Sequence, residues 1–367
     1  MQKIKNIELL RVIGCVAILF LHLFHKTLCN YFPDIHFYQH MYNATSNGQK
    51  AVDLFFMLSG LFFAWKLNTK YGIWDFVKKK IIRLWPVLIF LLLLTTVASL
   101  FGIYKFNMYD KILALVGLNG TGWIMVKGVS NAGVFWYVSS MFWVLLLFYY
   151  LRKYFNKKNV DLFISIVVYF SYAFLIHAKG GKINSADQNF YYIFNVGILR
   201  ALGGIGIGYF IGDWYRNNEE KIRAWSVTVL QKIALTVLEF MCLFFIINNL
   251  MLRRLKYGND MIYIVTFVVI IVLFLLNKGY ISRLLNDTKI GDVSVFCAKY
   301  TYSIYMMQFF VFNIINAFVW KRFPDFVLSH QIINVEFTLL CVIIFGIFTY
   351  HFVEKPCVDY FKYKKNQ

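Results

Sequence analysis

Charge is what this sequence has least of. Only 15% of its 367 residues are Asp, Glu, Lys or Arg, with 18 acidic residues against 38 basic ones. Proline occurs four times, and no Ser-, Gly- or Pro-rich stretch is long enough to link a second domain. The six cysteines (Cys15, Cys29, Cys242, Cys297, Cys341 and Cys357) are scattered without a C-x-x-C pair. That spacing argues against a disulfide framework and against a metal site. Polar surface is short as well: 60% of residues are hydrophobic, 20% are aromatic, and the mean hydropathy is +0.59. A chain of this composition cannot stay in water as a globular domain.

What fills the chain is apolar runs of membrane-crossing length. They predict an all-α fold, a polytopic membrane helical bundle of about ten transmembrane helices, forming a single domain over residues 1–367. The expected spans are about 7–29, 50–68, 84–104, 132–151, 160–178, 190–212, 225–249, 261–277, 300–320 and 333–352. The first run follows Lys3 and Lys5 as a signal peptide would. It is too long for one and no small-residue cleavage site follows, so it reads as a retained span. Lys and Arg are about twice as frequent in the loops on the N-terminal side as in the others, which predicts cytoplasmic termini. Only the Arg253–Lys256 cluster opposes this. The net charge of +20 is then explained by that bias and by anionic headgroups, so the expected partner is membrane lipid and not nucleic acid. The stretch from Lys105 to Asn131 contains an apolar segment expected to lie as a short helix on the outer surface.

Ionisable side chains inside spans are costly and mark candidate sites. Arg11 and His22 both lie in the first span. Eleven residues make about three turns and about 16 Å, so the two project from one stripe of the helix. Gly14, Cys15 and Ile18 lie between them. Arg11 alone could pair with Glu8 at i, i+3 or snorkel, and His22 alone could pack between helices. Asp53, just inside the second span, is expected at the depth of His22. There it would orient the imidazole, or cap its own helix, or both. Ser59 and Gly60 form a small-residue pair suited to close helix approach. In the sixth span Arg200 is a second expensive cation, with Glu239 of the seventh span as its expected counter-ion. The functional alternative for Arg200 is a cavity-lining contact to an anionic or carbonyl group. The glycines that follow it (Gly203, Gly204, Gly206, Gly208) point to close packing or a kink.

Taken in order, these segments resemble membrane acyltransferase family 3. Arg11 and His22 match its R-x10-H pattern, and AVDLFFMLSG at 51–60 is similar to its G-V-D-x-F-F-x-x-S-G segment. KKKIIRLWP at 78–86 is similar to its basic R-x-x-R-x-Y-P segment, and FWYVSSMFW at 135–143 to its W-x-L-S helix. RALGGIGIGYFIG at 200–212, TYSIYMMQFF at 301–310 and FVEKP at 352–356 resemble the family's remaining blocks. Gln308 stands where many members have His, and Ser140 and Met141 replace an acidic pair.

The resemblance implies an integral-membrane O-acyltransferase of a bacterial inner (plasma) membrane. Such an enzyme would move an acyl group, usually acetyl, from cytoplasmic acetyl-CoA to a hydroxyl of a surface polysaccharide or glycolipid. Acetyl-CoA is the expected donor, and no metal is expected. His22 would be the general base oriented by Asp53, and its reference pKa of about 6.5 leaves it neutral at neutral pH. Arg11, Lys79, Lys80 and Arg83 would hold the CoA phosphates. Ser59, Ser139, Asn131 and Arg200 are candidates for oxyanion or acceptor contacts. Direct transfer and a covalent acyl-enzyme both remain open. So does the alternative class, a polysaccharide or small-solute transporter or flippase without acyl transfer, which the same buried charges would suit.

Overall fold

The computed structural model describes residues 4–118, 134–178, 180–183, 189–190, 194–252 and 259–366. The first half of the chain forms α1 (Lys5–Leu23), α2 (Cys29–Tyr31), α3 (His36–Thr45), α4 (Ala51–Trp65), α5 (Ile73–Leu100), α6 (Met108–Val116), α7 (Phe135–Tyr154) and α8 (Lys157–Ala178). Two short strands, Asn189–Phe190 and Phe194–Asn195, pair antiparallel before α9 (Val196–Ala224). Then come α10 (Val229–Ile247), α11 (Met261–Leu276), α12 (Tyr280–Asp287), α13 (Lys289–Ala298), α14 (Thr301–Ile315), α15 (Pro324–Ser329), α16 (Gln331–Thr349) and α17 (Lys355–Asn366). The fold is an all-α polytopic bundle.

Among the described residues eight helices are long and apolar enough to cross a membrane. A ninth crossing is possible if α11 and α12, bent by 60° at Asn277–Gly279, act as one broken span. The expected second span is a shorter helix, the 15-residue α4. It can be short because a 3-10 turn, Ser46–Lys50, precedes it and because most of its side chains are buried against other helices. The third expected span is longer than its hydropathy suggests. α5 starts at Ile73, so the basic run 78–83 lies on its first turns and not in a loop.

Close approach of backbones organises the centre. Gly204, Gly208 and Gly212 recur every fourth residue on α9 and face α4. A Cβ on Gly208 would overlap the Met57 carbonyl oxygen, and one on Gly60 of α4 would overlap that of Ile205. Gly203 and Gly206 turn the other way, toward Tyr172 and Val168 of α8. The glycine run thus lets α9 press between two helices, the small-residue packing that stabilises spans in lipid.

Within the stretch 105–131 the described residues hold one short helix, α6. α6 exposes Met108, Tyr109, Ile112, Leu115 and Val116 while burying Asp110 and Lys111, an orientation suited to an apolar surround. Lys111 donates to the Leu92 carbonyl at 3.1 Å and so fixes α6 to α5.

Candidate active site

The site is assembled around α1. Five helices, α1, α4, α5, α7 and α14, enclose its functional stripe through pairwise packing. The register comes from small residues. Gly48 backs onto Ala17 and Leu21, and Ala51 and Phe55 back onto Gly14. On the other flank Cys15 Sγ approaches the Thr301 carbonyl at 3.7 Å, and the His22 ring packs on Phe309 with centroids 4.7 Å apart. α4 therefore runs antiparallel to α1, and α14 runs parallel to it.

This register corrects the expected position of Asp53. It stands level with Gly14, about two turns or 12 Å from His22. Its carboxylate is taken by Arg200: Nε donates to Oδ1 at 3.3 Å and Nη2 to Oδ2 at 2.6 Å, with both side chains almost fully buried. The Arg200 Nη2 also donates to the Gln49 carbonyl at 2.8 Å, and its guanidinium faces the Trp136 ring. Asp53 cannot orient an imidazole two turns away while Arg200 occupies both of its oxygens.

The same pair corrects the expectation for Glu239. That residue is fully buried, but its Oε2 accepts from the Ser282 backbone N–H at 3.1 Å, and its carboxylate lies against Gly279. It satisfies the first orphan donors of α12 at the break in the α11–α12 span, the role of a helix N-cap. A second buried pair, Lys50 with Asp260, ties the turn before α4 to the start of α11. Asp260 also accepts from the Ile183 N–H at 2.9 Å.

At the Arg11 end several charges converge. Arg11 Nη1 donates to Glu8 Oε2 at 2.9 Å, so the i, i+3 pairing is formed, yet its side chain remains 23% exposed. Arg83 is exposed and lies within electrostatic range of Arg11, Glu8 and Glu354. Glu354 is buried and accepts from Ser303 Oγ at 2.7 Å. Tyr302 donates to the Leu84 carbonyl at 2.6 Å, joining α14 to α5 beside Arg83. Lys80 is half-buried over Phe76, whereas Lys79 is exposed with its ammonium 3.3 Å from the Tyr71 ring centroid. Of the expected basic set, Arg83 is thus the member within electrostatic range of Arg11, and Lys79 is at the surface.

The remaining expected contacts divide. Ser59 lies one turn beyond Phe55, level with Arg11 and not with His22; its hydroxyl is 3.4 Å from that of Tyr137 and donates to Met141 Sδ at 3.2 Å. Ser139 is fully buried and has no hydrogen-bond partner among the described residues. It lies on the buried face of α7. Asn131 lies outside the described residues. Gln308 is buried and donates to the Tyr305 carbonyl one turn back on its own helix, at 2.9 Å.

His22 closes α1. The next five residues, Phe24–Leu28, form a π-helical turn, and the Thr27 hydroxyl donates to the His22 carbonyl at 2.9 Å. Such turns re-aim side chains and are frequent at functional sites. Elsewhere along the stripe stand Glu354, Tyr302, Tyr305 and Tyr137. No sequence argument singled these four out, although each falls in a recognisable motif.

The sequence model of acyltransferase family 3, described as an acyltransferase domain, matches residues 4–352. The chain belongs to acyltransferase family 3. No curated protein and no solved structure matches it. As a member of this membrane family, with several spanning helices, it is a multi-pass membrane acyltransferase that takes an acyl donor and an acceptor. Among the described residues no three His, Cys, Asp or Glu side chains group closely enough to hold a metal ion.

Proposed function

We propose that this acyltransferase moves an acetyl group from cytoplasmic acetyl-CoA to a hydroxyl of a cell-surface polysaccharide or glycolipid, across a bacterial plasma membrane. The observation that carries the reading is the arrangement along α1. A two-arginine cluster, Arg11 and Arg83, lies at one end, an imidazole lies three turns away, and four other helices wall the stripe between them.

The donor's phosphates bind the guanidiniums of Arg11 and Arg83 at the cytoplasmic end, where bidentate N–H donors suit them. Lys80 adds charge on the same helix as Arg83, while Glu8 and Glu354 offset part of the cluster's positive charge. The pantetheine arm then runs along Gly14 and Cys15, which brings the thioester toward His22, about 16 Å on.

His22 takes the proton from the acceptor hydroxyl as its oxygen attacks the thioester carbonyl. The tetrahedral intermediate collapses with loss of the CoA thiolate, which recovers the proton from the imidazolium. Asp53 and Arg200 brace α4 against α9 and act on this chemistry only through the position of α4.

Support for the orientation comes from the basic residues gathered at the Arg11 end. There Lys153 holds the Thr69 and Tyr71 carbonyls and Lys278 holds those of Arg223 and Trp225. A cytoplasmic face is expected to be the more basic one.

The test is to incubate the purified protein with acetyl-CoA and a glycan acceptor. Release of free CoA, lost in His22→Ala at equal expression, supports the reading. Glycan movement without CoA release would point to a transporter instead.

A further inference from the structure

The stripe between Arg11 and His22 is not an open groove. At the level of Gly14 an aromatic set closes over it. The Phe55 ring lies so near that a Cβ on Gly14 would sit 3.2 Å from it. Phe55 is followed by Tyr137 at 6.2 Å between centroids, and Tyr137 by Tyr305 at 5.9 Å, crossed edge to face. These three rings come from α4, α7 and α14 and lie opposite α1. Phe55 and Tyr137 keep part of their surface exposed although they sit between helices. Tyr137 is flanked by Phe56, Phe55, Trp136 and Tyr305.

The three rings are not equally fixed. The Tyr305 hydroxyl donates to the Val134 carbonyl at 3.1 Å. Tyr137 is held by Ser59 and Met141 on its hydroxyl and by Phe56 on its face. Phe55 has no polar group and is held by packing alone. Rotation of its side chain therefore changes the opening most easily. Gly14 is the other wall, and its lack of a side chain leaves the ring its place.

We infer that Phe55, between Gly14 and Tyr137, sets the width of the passage from Arg11 to His22 and so selects slender, unbranched acyl groups over branched or aromatic ones. This rests on the transferase reading for its consequence, but the constriction itself is testable without turnover. An acetyl thioester is no wider than the arm that carries it, and passes wherever the arm passes. A benzoyl group is a flat ring the size of Phe55, and it has to displace that ring to go through.

Cys15, one residue above Gly14 and buried, is the reporter. With the other five cysteines replaced by Ser in the full-length purified protein, Cys15 is labelled with ethyl and benzyl methanethiosulfonates, and the two rates are read by mass spectrometry. The benzyl reagent is expected to lag the ethyl one by about tenfold or more, and Phe55→Ala to abolish most of that difference. Gly14→Val, which drives a side chain toward Phe55, slows both reagents. Phe55→Leu serves where the alanine variant does not accumulate.

A benzyl-to-ethyl ratio unchanged by either Phe55 variant overturns the constriction. In the donor assay, Phe55→Ala is expected to gain on benzoyl-CoA relative to acetyl-CoA. If the labelling ratio shifts but no variant consumes any acyl-CoA, the passage stands and the transferase reading fails. If acetyl-CoA is consumed while the ratio stays fixed, the reverse holds.

Discussion

Arg200 and Asp53 meet inside the bundle through two hydrogen bonds of 2.6 and 3.3 Å, and they lock α9 to α4 one turn above the glycines that bring those helices together. Neither side chain has more than 5% of its surface exposed. Removing one partner leaves the other charge buried alone, a loss of about 3–5 kcal/mol. Arg200→Met should therefore sharply lower the thermal unfolding temperature in detergent. Asp53→Leu combined with Arg200→Met should recover much of it, since two apolar side chains leave no orphan charge. A double variant no more stable than Arg200→Met would show that the pair contributes through shape and not charge.

The α4–α9 contact makes its own prediction. A methyl on Gly208 would collide with the Met57 carbonyl oxygen, and backbone cannot move aside as a flexible side chain can. Gly208→Ala should cost at least about 1–3 kcal/mol, as overpacking does. A Cβ on Gly72, at the start of α5, meets only Asp75, so Gly72→Ala is the mild control. Comparing their unfolding temperatures and membrane yields checks it.

Glu239 is predicted to matter for stability and not for transfer. Its carboxylate receives the Ser282 N–H at the start of α12. Glu239→Gln keeps an accepting oxygen and should be nearly silent. Glu239→Leu should lose about 0.5–2 kcal/mol, the worth of an N-cap. Equal activity per folded molecule in both variants is the expected readout.

Donor binding and chemistry should separate along α1. Arg11→Gln and Arg83→Gln should each weaken CoA binding by about tenfold or more, the worth of a hydrogen bond between charged groups. His22→Gln should leave CoA affinity within about twofold while abolishing turnover, since it touches only the reacting end. Calorimetric titration of CoA into the three variants measures the first effect, and CoA release measures the second.

Much of this was legible in the sequence because the strongest signals are local. Apolar length gives the spans, and the eleven-residue spacing puts Arg11 and His22 on one stripe of one helix, where no tertiary information is needed. The glycine run likewise announced close packing. What failed were partners between helices. Counting inward from its own loop puts Asp53 at the depth of His22, but a 3-10 turn precedes α4 and the helix sits deeper along α1, so Asp53 meets Arg200 and not His22. Glu239 and Arg200 both lie mid-span, which predicts a pair, yet the break at Gly279 creates donors that hydropathy does not reveal. Ser303 and Glu354 stand 51 residues apart and meet only because α14 and α16 pack together. Tyr137 and Tyr305 come from separate helices, and only the fold brings their rings together.

The central claim is that a donor held at Arg11 is discharged by the imidazole of His22. Its most direct test is single-turnover CoA release from acetyl-CoA by purified wild-type and His22→Ala protein, with donor binding measured in parallel. The account predicts that both proteins bind donor equally and that only the wild type transfers acetyl to the acceptor. Transfer by His22→Ala at the wild-type rate would contradict it.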